Sequence, residues 1–129
     1  MAMTELSSGC KISRWQLLKQ QLNNLGAAEF EARIGRPDTV LLDVRTPAEY
    51  AAGCLPGAIH LDYFGPDFWP QFDALDRTKT YLVYCRSSRR STRVCTLMRN
   101  GGFGSVYNLE GGLATSLPVP AVSDSATEA

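Results

Sequence analysis

Cys85 ends an apolar run that starts at Thr80, and four arginines follow it within eight residues: Arg86, Arg89, Arg90 and Arg93. Five residues, Arg86 to Arg90, separate the thiol from Ser91 and the helical pattern that opens there. A thiol in that position faces the unpaired N–H groups and positive dipole end of a helix, which together favour an anion. A tight loop can aim further N–H groups inward as a nest. These effects, with the neighbouring guanidinium groups, favour thiolate over thiol. The chemistry this predicts is a nucleophilic thiolate seated in a small anion-binding cradle. A buried, inert cysteine beside arginines on a solvated helix is the competing reading, and it leaves the electropositive loop without a reason.

The other reactive residues carry weaker signals. Cys54, in a Gly-rich turn, reads as a partly buried turn residue. Its alternative is an accessory role as a second thiol near the mouth of the site, able to close a disulfide with Cys85. Cys95 falls within the following helix and is expected in the core, while Cys10 and His60, the only histidine, are assigned no chemical role. Asp43, at the end of an apolar run, is either an accessory residue that positions the loop or a turn acid. No spacing suits a metal site and no cofactor is called for.

These residues need a frame. Thr39 to Val44 and Thr80 to Cys85 are short, nearly continuous apolar runs, the pattern of strands buried on both faces. Ala58 to Leu61 and Ser105 to Leu109 read as two further strands. Helices are predicted over residues 12–22, 27–34 and 89–99, with another starting at Thr46-Pro47-Ala48-Glu49. There Thr46 suits the cap, Pro47 the first helical position and Glu49 the capping-box acid. The aromatic run Phe64 to Phe72 reads as a core face, with an exposed patch for a protein acceptor as the alternative. Strands alternating with helices predict an α/β fold with a mainly parallel sheet and helices on both faces. Ligands in such sheets bind beyond the carboxyl ends of the strands, where Cys85 lies.

At 129 residues the chain is the size of one domain. A single domain is expected over 12–117, with flexible segments at 1–11 and 118–129. Thirteen basic residues balance thirteen acidic ones. That balance argues against a nucleic-acid partner, and no apolar run approaches a membrane span. The first ten residues lack a secretory pattern, so the expected location is cytoplasmic and the thiols reduced. The zero net charge is unevenly spread: residues 29–76 hold nine acids and three bases, whereas residues 81–109 hold five arginines and no acid.

Residues 27 to 113 resemble the rhodanese (sulfurtransferase) family. The resemblance rests on Leu41-Leu-Asp-Val-Arg45, Pro47, Glu49-Tyr50, Leu55-Pro-Gly-Ala-Ile59 and Tyr84 to Ser91. It continues through Gly101-Gly-Phe103, Val106 to Leu109 and Glu110-Gly-Gly112. It implies a three-layer fold with a central parallel sheet. It further implies that Cys85 takes a sulfane sulfur from a small anionic donor such as thiosulfate. The persulfide sulfur would pass to cyanide in assays, or to a thiol acceptor such as a low-molecular-weight thiol or a small redox protein. By the family motif, Arg86, Arg89 and Arg90 attract the donor. The backbone of Arg86, Ser87, Ser88, Arg89, Arg90 and Ser91 holds the terminal sulfur. Arg45 and Glu49 would form a structural pair, with Arg93 and Arg99 on a solvated helix face. Ser88 stands where the family usually has Gly, Cys54 replaces its usual His, and the segment after Gly112 is shorter than the family's. A phosphatase-like enzyme on the same fold, and a weakly active sulfur-delivery or interaction module, are the alternatives.

Overall fold

The computed structural model describes residues 13–115, so the expected domain limits, both terminal segments and Cys10 lie outside the described residues. Among the described residues, eleven elements follow one another. They are α1 (Arg14–Gln20), β1 (Asn23–Leu25), α2 (Ala27–Arg33), β2 (Thr39–Asp43) and α3 (Pro47–Ala52). The rest are β3 (Ile59–His60), α4 (Phe68–Asp73), β4 (Thr80–Tyr84), α5 (Arg89–Asn100), β5 (Ser105–Leu109) and α6 (Gly112–Thr115). The strands form one sheet in the order β1-β5-β4-β2-β3, and every pairing is parallel.

Alternation along the central strands feeds two cores. Leu42, Val83 and Val106 pack with Val94, Cys95 and Met98 of α5 and with Phe68 and Phe72 of α4. Leu41, Leu82 and Leu109 face the other way, against Phe30 of α2 and Leu55. Both faces are thus covered, which is why β2 and β4 are near-continuous apolar runs rather than alternating ones. The α/β expectation, with helices on both faces, holds.

β1 was not expected. Asn23 and Asn24 give it little intrinsic strand preference, and pairing with β5 supplies the order instead. Asn23 lies opposite Tyr107 and Asn24 opposite Asn108. The Asn23 side chain also donates to the Val106 carbonyl (3.3 Å). The predicted helix over 12–22 therefore stops at Gln20, so that the chain can enter this edge strand.

Candidate active site

Cys85 follows the last residue of β4 and is fully buried. Its Sγ accepts a hydrogen bond from the backbone N–H of Ser91 (3.3 Å) and lies 3.5 Å from the Ser91 hydroxyl. The loop thus wraps back so that the first turn of α5 meets the sulfur. The first N–H groups of a helix have no intrahelical partner, so this end of α5 presents donors to any negative charge carried by Cys85. Arg86, Ser87 and Arg89 are exposed at the mouth, while Ser88 and Ser91 are buried beneath it.

Ser88 makes the reversal of the loop. It holds φ 73° and ψ 0°, the left-handed conformation that glycine adopts at no steric cost. A non-glycine residue there costs about 1 kcal/mol. The serine hydroxyl brings no compensation, because Ser88 Oγ is buried without a hydrogen-bond partner. What holds the turn is its carbonyl, which accepts from Thr92 Oγ1 (2.6 Å) and from the Thr92 N–H (3.1 Å). The Asn108 side-chain amide donates to Thr92 Oγ1 (3.2 Å) and to Asn24 Oδ1 (2.9 Å). A buried polar chain thereby ties the loop to β5 and β1.

The loop carbonyls are held from the other side. Leu113 N–H donates to the Cys85 carbonyl (3.0 Å) and Ala114 N–H to the Arg86 carbonyl (2.8 Å). Gly112 sits so close that a Cβ on it would lie 2.4 Å from the Arg86 oxygen, and its φ is +69°. α6 is short, but it braces the cradle directly.

Asp43 is fully buried and acts on the strand ends rather than on the loop N–H groups. Its carboxylate accepts from the Arg45 guanidinium (2.7 Å), the Arg45 backbone N–H (2.9 Å) and the Tyr84 hydroxyl (2.7 Å). The Tyr84 hydroxyl in turn accepts from the Leu55 N–H (3.0 Å). Burial and the adjacent Asp43 carboxylate push the Tyr84 hydroxyl well above its ordinary pKa, so it stays a donor. Arg45 also donates to the Gly53 carbonyl (2.5 Å). This cluster pins the ends of β2 and β4 and the turn at 53–55.

The expected Arg45–Glu49 pair is therefore not formed. Arg45 is taken by Asp43, two residues before it, and Glu49 pairs instead with Arg90 of α5 (2.6 and 3.2 Å). The capping box at the start of α3 turns Glu49 back onto Thr46: its carboxylate accepts from the Thr46 N–H (2.9 Å), and Thr46 Oγ1 accepts from the Glu49 N–H (3.2 Å). From that position Glu49 can reach a neighbouring helix. Arg90 is thus largely neutralised, whereas Arg93, exposed on α5, makes no ion pair among the described residues.

Cys54 is half-buried and interacts with the Tyr50 hydroxyl. It precedes Leu55, which packs in the core that contains Tyr84, whereas Cys85 belongs to the core on the opposite face. The structure brings Cys85 together with residues 86 to 91, and among the described residues no hydrogen bond joins Cys54 to them. Cys95 is buried in the core, and burial pushes its thiol pKa well up. His60 accepts a structural place, with Nε2 2.7 Å from the Arg45 carbonyl and its ring stacked on Tyr50. Among the described residues no cluster of His, Cys, Asp or Glu is built to hold a metal ion, and no helix is long and apolar enough to cross a membrane. Gly112, Thr92 and Asn108 support the loop without having been singled out as site residues. Gly111-Gly112 was the one signal available for them.

Comparison with known proteins agrees with this fold. The family model for the rhodanese-like domain matches residues 26–115. A sulfurtransferase from Allochromatium vinosum is 32% identical over 93 residues, covering 71% of this chain and 85% of that protein. A putative sulfurtransferase from Bacillus subtilis is 33% identical over 94 residues, covering 72% and 88%. A tRNA uridine(34) hydroxylase from Erwinia tasmaniensis is 32% identical over 93 residues, which span 69% of this chain but 27% of that enzyme. Among solved structures, the rhodanese-like domain of an Anabaena protein superposes with a TM-score of 0.64 at 26% identity, covering 84% of each chain. The matched segment contains the Cys85 loop and the strands β2 to β5, and the chain belongs to the rhodanese-like domain family.

Proposed function

We propose that this protein is a sulfurtransferase that carries sulfane sulfur on Cys85, with thiosulfate or a similar small anion as donor. The Cys85 thiolate attacks the outer sulfur of the donor. The bond between that sulfur and the sulfonate sulfur breaks, and its electron pair leaves with sulfite. The product is a Cys85 persulfide, whose terminal sulfur carries the negative charge. An acceptor nucleophile, cyanide in an assay or a thiolate, then attacks that terminal sulfur, and the S–S bond breaks with its electrons returning to Sγ. The observation that carries this reading is the buried Sγ seated against the Ser91 N–H at the start of α5. Arg86 and Arg89 draw the anion to the mouth, Ser88 sets the reversal of the loop, and Ser87 and Arg90 complete its rim.

Mass analysis after thiosulfate treatment, followed by cyanide and thiocyanate detection, tests the reading. One added sulfur atom on the wild type, absent from Cys85→Ser, and released as thiocyanate, is the expected result. Hydrolysis of an aryl phosphate without thiocyanate would replace this reading with the phosphatase one. An intact fold with neither activity would leave an interaction module.

A further inference from the structure

We infer that the groove running from the Cys85 loop along α5 docks a protein acceptor, one whose thiol is flanked by acidic residues and an apolar anchor. The inference rests on the sulfurtransferase reading and adds the class of acceptor. Two adjoining clefts make the groove. One, of about 280 Å³, lies against the loop between the Tyr63–Phe64 aromatics and Arg89, Arg90 and Arg93. The other, of about 700 Å³, continues past Arg93 over Leu18, Phe68, Trp69 and Leu97 to Arg14. Tyr63, Phe64 and Arg93 line both. Among the described residues no acidic side chain lines either cleft.

The charge is available for a partner. Arg90 is taken by Glu49, but Arg93 is exposed and makes no ion pair or side-chain hydrogen bond among the described residues. Its place is one helical turn beyond Arg89, on the same side of α5. The apolar component is equally open. Phe64 is 67% exposed and Trp69 56% exposed, although the neighbouring Phe68 and Phe72 are buried. The aromatic segment is therefore core on one side and open on the other, which joins the two readings its sequence allowed. Arginine beside an exposed Trp and a half-buried Tyr is the composition of an interface anchor region.

The extent of the groove and its apolar floor suit a protein segment. A long polyanion suits it less, because Asp62 and Asp67 border the other side of the same aromatic segment. An acceptor seated there would bring its thiolate to the mouth beside Ser87 and Arg90. In transfer, that thiolate forms a bond to the persulfide's terminal sulfur, and the electrons of the broken S–S bond return to Cys85.

Fluorescence anisotropy tests the docking without relying on turnover. The probe is a short labelled peptide whose cysteine is flanked by glutamates and a leucine, bound to full-length Cys85→Ser protein. Arg93→Glu and Trp69→Ala, each checked for fold by circular dichroism, are expected to weaken binding about tenfold, and Arg93→Lys to retain it. In Cys85-intact protein, Trp69→Ala should slow transfer to this peptide while leaving sulfur uptake from thiosulfate and transfer to a small neutral thiol unchanged. Equal peptide binding by wild type and both variants overturns the proposal. So does preferential binding of a single-stranded RNA, or a concentration-dependent dimer that Trp69→Ala abolishes without any peptide binding. Loss of sulfur uptake in the wild type would instead strike at the sulfurtransferase reading and leave the anisotropy result standing.

Discussion

Glu49 binds Arg90 through both carboxylate oxygens while also closing the capping box of α3. One side chain therefore fastens the start of α3 to the first turn of α5, immediately beside the nucleophile's loop. The Arg90 hydrogen bonds, assisted by those from Thr46, hold the Glu49 carboxyl at about 2, below its ordinary 4.5. A charge-assisted pair that is only partly exposed keeps more of its strength than one on the open surface.

Glu49→Gln removes the charge from both roles. The expected cost is about 1–2 kcal/mol of stability near neutral pH. The folded pKa is depressed, so the stabilisation is fully present above about pH 4.5 and is lost as pH falls toward about 2. Urea unfolding of both proteins across that range should show a constant gap above pH 5 that closes in acid. A gap independent of pH down to pH 2 would remove the ion pair as its cause. Freed from Glu49, Arg90 should also loosen the loop and slow sulfur uptake.

Ser88→Gly should stabilise the protein by about 0.5–2 kcal/mol. It relieves the left-handed strain and removes a buried hydroxyl without a partner, against the extra entropy of an unfolded glycine. Ser88→Ala keeps the strain and removes only the hydroxyl, so comparing the two in urea separates the terms. No gain in either variant would mean that the hydroxyl is satisfied in solution.

Gly112→Ala places a Cβ into the Arg86 carbonyl and the Ser88 N–H, at a φ that side chains rarely adopt. Destabilisation of about 2–4 kcal/mol is expected. Because the clash is with the loop itself, sulfur uptake measured by mass should fall well below that of wild type even where the variant is still folded. Unchanged uptake would show that α6 does not brace the cradle.

Asp43→Ala strands the Arg45 guanidinium in a buried site and strips the Tyr84 hydroxyl of its acceptor. A loss of about 3–5 kcal/mol is expected, the cost of an uncompensated buried charge. Tyr84→Phe, which leaves the ion pair intact, should cost less, about 1–3 kcal/mol. Thermal unfolding of the two variants ranks them. The reverse order would place the main role of Asp43 elsewhere.

Much of this protein is legible along the chain because the information is local. Apolar runs with flanking breaks specified β2, β4 and β5; Thr46, Pro47 and Glu49 specified the start of α3; and Cys85 with its five-residue loop specified where the chemistry sits. Those signals depend on neighbours within a few residues, as do strand burial, helix capping and a thiol before a helix. Choice of partner is different, because it depends on which ends of which elements meet. Asp43, two residues from Arg45, captures it, and Glu49 is left to cross to Arg90. β1 exists only because β5 offers it an edge, and Asn24 and Asn108 close that edge through Thr92 onto Ser88. Cys54 and Cys85 look like a thiol pair on paper, yet Leu55, the neighbour of Cys54, packs on the face opposite the core that holds Cys85. The zero net charge likewise hid a local field, which depends on Glu49 engaging Arg90 while Arg93 makes no ion pair among the described residues. Residue types and short spacings determined the fold class and the nucleophile; packing decided which charges cancel, which remain, and what braces the loop.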